Sequence, residues 1–307
     1  MSVIAVTGAS GFLGGHLGLE LVARGHEFLG ISRADLGSEN LHRKLAGVDV
    51  LVHLAARAHI LNESSNDPSA EFRKVNVGLT QSAARAAQLA GVKRFVYLSS
   101  AGVLGSRSPA GGFAEDSIPH PHDAYTASKL EAENWLSAEL CAGMQLAILR
   151  PPLIYGPGAK GNFMRLMDLA LKGWPLPVGA LRAQRSMIGV RNLVDLIRLV
   201  ATDRRVNRVT LLAADRETMS VSELYQLVSR CAGHRLWLAP LPRAIVRSVA
   251  LLAGRRSDIV RLTDPFVLRP EIAQSQFGWT PPYSLQDELR WTVARALESV
   301  PCQEMTS

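Results

Sequence analysis

Cysteine is scarce. Only Cys141, Cys231 and Cys302 occur in 307 residues, far apart and odd in number. That excludes a disulfide framework and a clustered metal–thiolate centre, and implies a reducing cytoplasm. Long apolar runs are absent as well: no uninterrupted stretch approaches the ~20 residues that cross a bilayer. The N-terminal apolar run has no cationic region ahead of it and is broken at Thr7, so it lacks the build of a signal peptide. Basic blocks interleaved with aromatics are also missing. The formal charge of +7 is spread along the chain, mostly as arginine, which suits a small anionic ligand rather than nucleic acid. His120 and His122 stand two apart without a third ligand nearby, so no metal is expected.

What is present is ordinary globular composition, 47% hydrophobic and 20% charged. Short apolar runs (VIAVTG, HEFLGIS, VDVLVHLAA, KRFVYLSS, MQLAILRPP, RVTLLAA) alternate with helical patterns that stop on glycine, from Leu13 to Gly25 and from Gly78 to Gly91. That alternation predicts an α/β fold, a doubly wound parallel sheet of Rossmann type. The connection from Arg33 to Val48 is too short for both an extra strand and a crossover helix. The sheet is therefore predicted to be abbreviated after its second strand, with RADLGSEN a loop and LHRKLAG a short helix. Beyond Tyr155, proline and glycine turns separate short helices. The division this suggests is a dinucleotide-binding domain over 1–152 and 187–214, a smaller, mostly helical substrate region over 153–186 and 215–300, and a tail over 301–307.

Candidate chemistry starts at VTGASGFLGGHL. A strand leads into Gly8, Gly11 and Gly14, and a helix follows. Gly8 permits the tight turn, Gly11 lets backbone N–H groups approach a pyrophosphate, and Gly14 lets the helix pack against the strand. At the end of the second strand stands Arg33, with no carboxylate before Asp35. An arginine there suits the 2′-phosphate of NADP(H), while NAD(H) remains the alternative.

The run KRFVYLSS delivers Ser99 and Ser100 at a strand end, and DAYTASKLEAENWL then brings Tyr125 and Lys129 onto one helix face at i, i+4 spacing. A neighbouring ammonium favours the phenolate, so Lys129 is expected to lower the pKa of Tyr125. Ser100 can then hydrogen-bond a substrate oxygen while Tyr125 exchanges its proton.

Together TGASGFLG, Leu54 to Ala56, the serine strand, Tyr125-x-x-x-Lys129 and RPPLIYGPG resemble the extended short-chain dehydrogenase/reductase family, in its epimerase/dehydratase branch, over almost the whole chain. The resemblance implies Ser100, Tyr125 and Lys129 as catalytic residues. It places the cofactor against Gly8, Gly11, Phe12, Leu13, Gly14, Arg33, Leu54, Ala55, Ala56, Tyr125, Lys129, Pro151 and Pro152. It also implies a nucleotide-sugar substrate on Ser100, Tyr125, Asn162, Arg185 and Arg269, with Asn76 in support. Many relatives pair through the Tyr-x-x-x-Lys helix, so a homodimer is expected.

Dehydratases of this kind carry an Asp-Glu pair after the catalytic residue, where this chain has Ala101 and Gly102, and no cysteine lies beside the serine strand. Hydride chemistry at one carbinol remains. The second half resembles bacterial enzymes that form UDP-N-acetyl-quinovosamine, which points to reduction of the C4 keto group of UDP-2-acetamido-2,6-dideoxy-4-hexulose for surface polysaccharide synthesis. A 4-epimerase of UDP-N-acetylhexosamine or its lipid-linked form is the alternative, and a non-catalytic dinucleotide-binding scaffold a third. The basic amphipathic stretch Pro242 to Leu262 could touch an anionic membrane or pack on its own domain. Trp174, Trp237, Trp279 and Trp291 read as core or turn-packing residues.

Overall fold

A computed structural model describes residues 1–57, 67–141, 143–175, 179, 181–234, 238 and 263–298, and at 68 and 162 the backbone alone. The stretch Pro242 to Leu262, Trp237, the tail 301–307 and the side chain of Asn162 lie outside the described residues.

Six strands form the main sheet: β1 (Val3–Thr7), β2 (Glu27–Ile31), β3 (Val50–His53), β4 (Arg94–Leu98), β5 (Gln145–Arg150) and β8 (Arg208–Leu212). Their order is β2-β1-β3-β4-β5-β8, all parallel. The doubly wound arrangement is as the alternating runs predict, and RVTLLAA does return to this sheet. A second sheet of β6 (Leu153–Tyr155), β7 (Arg185–Gly189) and β9 (Thr218–Met219) lies beside it.

Strand residues of alternate parity feed two cores. Ile4, Val6 and Val52 pack against Leu17 of α1 (Phe12–Ala23) and against Leu193 and Ile197 of α8 (Val190–Thr202). Ala5, Leu51, Phe95 and Tyr97 pack on the opposite face against Ala83 and Ala87 of α5 (Gly78–Leu89) and Leu136 of α6 (Ala124–Glu139). Each fully buried large aliphatic side chain contributes about 1.5–3 kcal/mol. Coverage of both faces makes near-continuous apolar strands necessary and places polar ends at the C-terminal edge.

Three expectations need correction. The predicted loop RADLGSEN begins as a helical turn, α2 (Arg33–Leu36), because the Ser32 hydroxyl accepts from the Asp35 N–H while the Asp35 carboxylate accepts from the Ser32 N–H. The short helix in LHRKLAG is present as α3 (Leu41–Lys44), and β2 is the sheet edge, as the short connection implies.

The helix over Gly78–Gly91 starts earlier than glycine punctuation suggested. It runs from α4 (Pro68–Phe72) through a π-turn (Arg73–Val77) into α5. Trp279 is buried and donates from Nε1 to Asp195, but Trp174 is 61% exposed and packs no core.

Candidate active site

The C-terminal ends of β1, β3, β4 and β5 meet at one edge of the sheet. At β1, Gly8 has φ +70°, and Gly11 N–H donates to its carbonyl over 2.9 Å, closing the turn. A Cβ at Gly14 would overlap the Gly8 carbonyl oxygen, so only glycine lets α1 start this close to the strand. The first turn of α1 has no side-chain cap and no acidic residue, leaving its N–H groups and positive dipole end for an anion. Phe12 and Leu13 open that helix. Leu54, Ala55 and Ala56 continue from β3 alongside: a Cβ on Gly8 would lie 3.1 Å from the Ala55 nitrogen.

Thr7 fixes this corner. Its Oγ1 accepts from Leu54 N–H and Ala55 N–H, each at 3.1 Å, and lies 2.9 Å from His53 Nδ1. With both lone pairs used, the hydroxyl hydrogen goes to Nδ1, so His53 is neutral and carries its proton on Nε2. That Nε2 is buried and unpartnered, and burial pushes the His53 pKa down to about 3.

Ser100 follows β4 by two residues and caps a 3-10 turn, its Oγ accepting from Gly102 N–H at 3.1 Å, so its own hydroxyl hydrogen is free to donate. The next residue ties this turn to β5: Ala101 N–H donates to the Pro151 carbonyl over 2.8 Å, bringing Ser100 beside Pro151 and Pro152. Tyr125 and Lys129 lie on α6, which is started by a capping box between Asp123 and Thr126. The Phe72 ring meets Tyr125 edge-on at 6.0 Å. Lys129 is 3% exposed, with Nζ 4.5 Å from the Tyr97 ring centroid and no hydrogen-bond partner among the described residues.

The expected lowering of the Tyr125 pKa is not found in the free chain. Burial and the nearby Asp123 charge push the phenol up to about 12, and burial pulls Lys129 down to about 7. Desolvation disfavours both charged forms, and at this edge it outweighs the attraction expected between them.

Asn76 sits inside the π-turn. Its Oδ1 accepts from Arg57 N–H, and its Nδ2 donates to Ser128 Oγ at 2.9 Å, locking α6 to the π-turn one residue before Lys129.

The second region supplies cations. Arg185 begins β7, donates to the Asp264 carbonyl at 2.7 Å and lies over the Phe266 ring. Arg269 follows in the same segment, which bridges both to Arg185 and to Phe113, and its side chain is exposed. Asn162 begins α7 (Asn162–Leu171).

At the far end of the cradle Arg33 is exposed, and its guanidinium makes no hydrogen bond or ion pair among the described residues. Asp35, by contrast, is tied down through one oxygen. One of its oxygens, Oδ2, accepts from Ser32 N–H, Ser32 Oγ and Lys44 Nζ, and the Lys44 bond leads the causes that hold its pKa down to about 2. The glycine cradle and the buried Lys129, with no hydrogen-bond partner among the described residues, fit a dinucleotide; Gly8, Gly11, Gly14 and Leu54 to Ala56 would stand at its phosphates and Lys129 at its sugar.

Residues 4–212 match the sequence model of the NAD dependent epimerase/dehydratase family. The chain belongs to this family. Among its relatives, a UDP-glucose 4-epimerase of Vibrio cholerae is 32% identical over 265 residues, 85% of this chain and 81% of the relative. A ceramide reductase of Caulobacter vibrioides is 29% identical over 301 residues, 91% and 86% of the two chains. The solved structure of MoeE5 with UDP-glucose and NAD is 26% identical, covers 97% of this chain and 100% of its own, and superposes with a TM-score of 0.78.

Within the family, the geometry bears on which chemistry this chain can hold. A Cβ at Gly102 would stand 2.7 Å from Thr126 Cγ2, and Ala101 is fully buried. A side chain at Gly102 would require Thr126 to shift, and the sequence has no acidic pair at these two positions. Two groups at the site escaped the motif reading. His53 immediately precedes LAA, and Glu133 follows Lys129 by four in YTASKLEAE, a spacing that signals a shared helix face.

Proposed function

We propose that this protein is an NADP(H)-linked reductase of a nucleotide sugar, acting on the C4 keto group of UDP-2-acetamido-2,6-dideoxy-4-hexulose to give a UDP-N-acetyl-6-deoxyhexosamine of quinovosamine type. The observation that carries it is the contrast at the end of β2: the Arg33 guanidinium has no partner among the described residues, while Asp35 is held through Oδ2 by Ser32 and Lys44. A neighbouring lysine offsets the charge of that carboxylate, and an unpaired guanidinium suits a 2′-phosphate.

Bound NADPH supplies the hydride. The chain does the rest. Ser100 donates to the keto oxygen and holds it at the strand end, and Tyr125, neutral because it is buried, delivers its proton to that oxygen. Lys129 steadies the phenolate left behind and holds the cofactor sugar. Arg185 and Arg269 bind the substrate diphosphate, and the resemblance assigns Asn162 to the same diphosphate. Ketone, hydride and proton together balance as one secondary alcohol.

The resemblance of the second half to quinovosamine-forming enzymes supports the choice of sugar. The Vibrio cholerae relative favours a second reading, 4-epimerisation of a UDP-N-acetylhexosamine through a transient ketone on the same three residues. Incubation with NADPH and the 4-keto sugar nucleotide separates the two: stoichiometric NADPH oxidation is expected, and no loss of NADPH absorbance sinks the reductase. Interconversion of UDP-N-acetylhexosamines without added cofactor would establish the epimerase.

A further inference from the structure

Next to the site lies an ion pair that neither the motif nor the proposed reaction uses. Glu133 is 3% exposed and one turn beyond Lys129 on the same face of α6. Arg150, at the end of β5 immediately before Pro151 and Pro152, is 7% exposed. Its Nε lies 3.1 and 3.2 Å from the two Glu133 oxygens and its Nη2 2.6 Å from Oε2, a two-pronged grip. Removing two charges from water costs several kcal/mol each, and well-packed apolar residues often replace such pairs without loss of stability. Stability alone therefore gives weak reason for a charged pair here.

The pair's position gives a stronger one. Groups that face Lys129 are Tyr125 and Glu133 on its own helix, Tyr97 on β4 and His53 on β3, with Arg150 reaching it through Glu133. His53 is neutral, and the Tyr97 phenol is buried, burial holding it protonated. Glu133 is thus the anion that opposes the desolvation of Lys129. Arg150 fixes where that anion stands.

We propose that the Glu133–Arg150 pair is a positioning device for the active site: Arg150 pins the Glu133 carboxylate one turn below Lys129, and this fixed negative charge keeps the Lys129 ammonium charged and available to the cofactor sugar. The inference rests on the dinucleotide reading of the site. It assigns the Arg150 of the RPP segment an electrostatic role distinct from that of the prolines, which border the cofactor.

The test is the pH dependence of NADPH binding, followed by nicotinamide fluorescence without substrate, in wild type and in the Glu133→Leu/Arg150→Met double variant. Wild type should bind until Lys129 loses its proton. The double variant should melt cooperatively, yet its loss of binding should begin about one pH unit lower, which is about a tenfold weaker Kd above both midpoints. A purely structural pair would raise Kd equally at every pH and leave the midpoint in place; that result overturns the inference. If the double variant does not melt cooperatively, Glu133→Gln carries the same readout with a larger shift, because the Arg150 charge is then uncompensated. A wild type that binds neither NADPH nor NADH overturns the dinucleotide reading and the inference with it, whereas a wild-type midpoint shared by the variants overturns the inference alone.

Discussion

Two side chains in the candidate site have roles that a single substitution isolates. The Arg33 guanidinium is exposed and has no hydrogen bond or ion pair among the described residues, so removing it should not disturb the fold, and its only expected effect is on an anion bound at the end of β2. Arg33→Ala should raise the Kd for NADPH by about 10- to 100-fold, the ~1.5–3 kcal/mol of a charge-assisted contact, and leave the Kd for NADH unchanged. Paired fluorescence titrations check it; an equal loss for both cofactors would put Arg33 elsewhere. Tyr125→Phe removes one hydroxyl from a half-buried ring that packs on Phe72. Turnover should fall by about 100-fold or more, the lower end of general acid–base contributions, with cofactor binding kept. Steady-state rates beside a binding titration decide this, and unchanged turnover would refute the assigned role.

At the scale of elements, β7 joins α8 at Gly189, where two buried carboxylates converge. Asp215, following β8, accepts from Gly189 N–H, from Asn192 Nδ2 at 2.7 Å and from the Tyr155 hydroxyl at 2.8 Å, so one side chain ties β6, β7 and α8 together. Glu288 comes from α9 (Leu285–Glu298), with Oε1 2.6 Å from Arg191 Nε, and a Cβ at Gly189 would overlap its carboxyl group. Gly189→Ala should therefore cost about 1–3 kcal/mol by overpacking. Adding Glu288→Ala should recover part of that loss, because the two sites couple. Denaturant midpoints of the four chains in the cycle measure it, and strict additivity would show that the two do not meet.

Much of this layer could be read from the chain, because strand runs, glycine stops and the Ser100, Tyr125 and Lys129 spacings are local patterns. The edge strand β2 followed from the shortness of one connection. The turn at Arg33 was missed because its capping box uses a serine and an aspartate that also suit loops, and the π-turn has no glycine or proline to mark it. Other groups were illegible for a different reason. Glu133 with Arg150 spans 17 residues, His53 with Thr7 spans 46, and Arg191 with Glu288 spans 97, so only folding shows that they meet.

For the whole molecule, those buried groups make stability depend on pH in two opposing ways. His53 has its folded pKa depressed to about 3, with burial the main cause, against about 6.5 in the unfolded chain. The unfolded state binds the extra proton, so this contribution is complete above pH ~6.5 and is lost as pH falls towards 3, at about 1.4 kcal/mol per pH unit. Asp215 has the opposite sign. Burial raises its carboxyl to about 7, against the pull of its three donors. The folded state then holds the extra proton, so the contribution is complete below pH ~4 and is lost as pH rises through about 7.

Glu288 is raised as well, burial again leading, and adds to the second trend. Between these limits the opposing slopes partly cancel, and the wild type should melt with little pH dependence. Substitution removes one slope at a time. The stability gap between wild type and His53→Asn, whose amide oxygen can still accept from Thr7, should be widest above pH ~6.5 and narrow in acid. The gap for Asp215→Asn should be widest near pH ~4 and narrow towards neutrality. Thermal melts of the three proteins across this range test both gaps. A gap for His53→Asn that stays constant with pH would mean that His53 titrates alike in the folded and unfolded chains, contrary to its burial beneath the cofactor cradle.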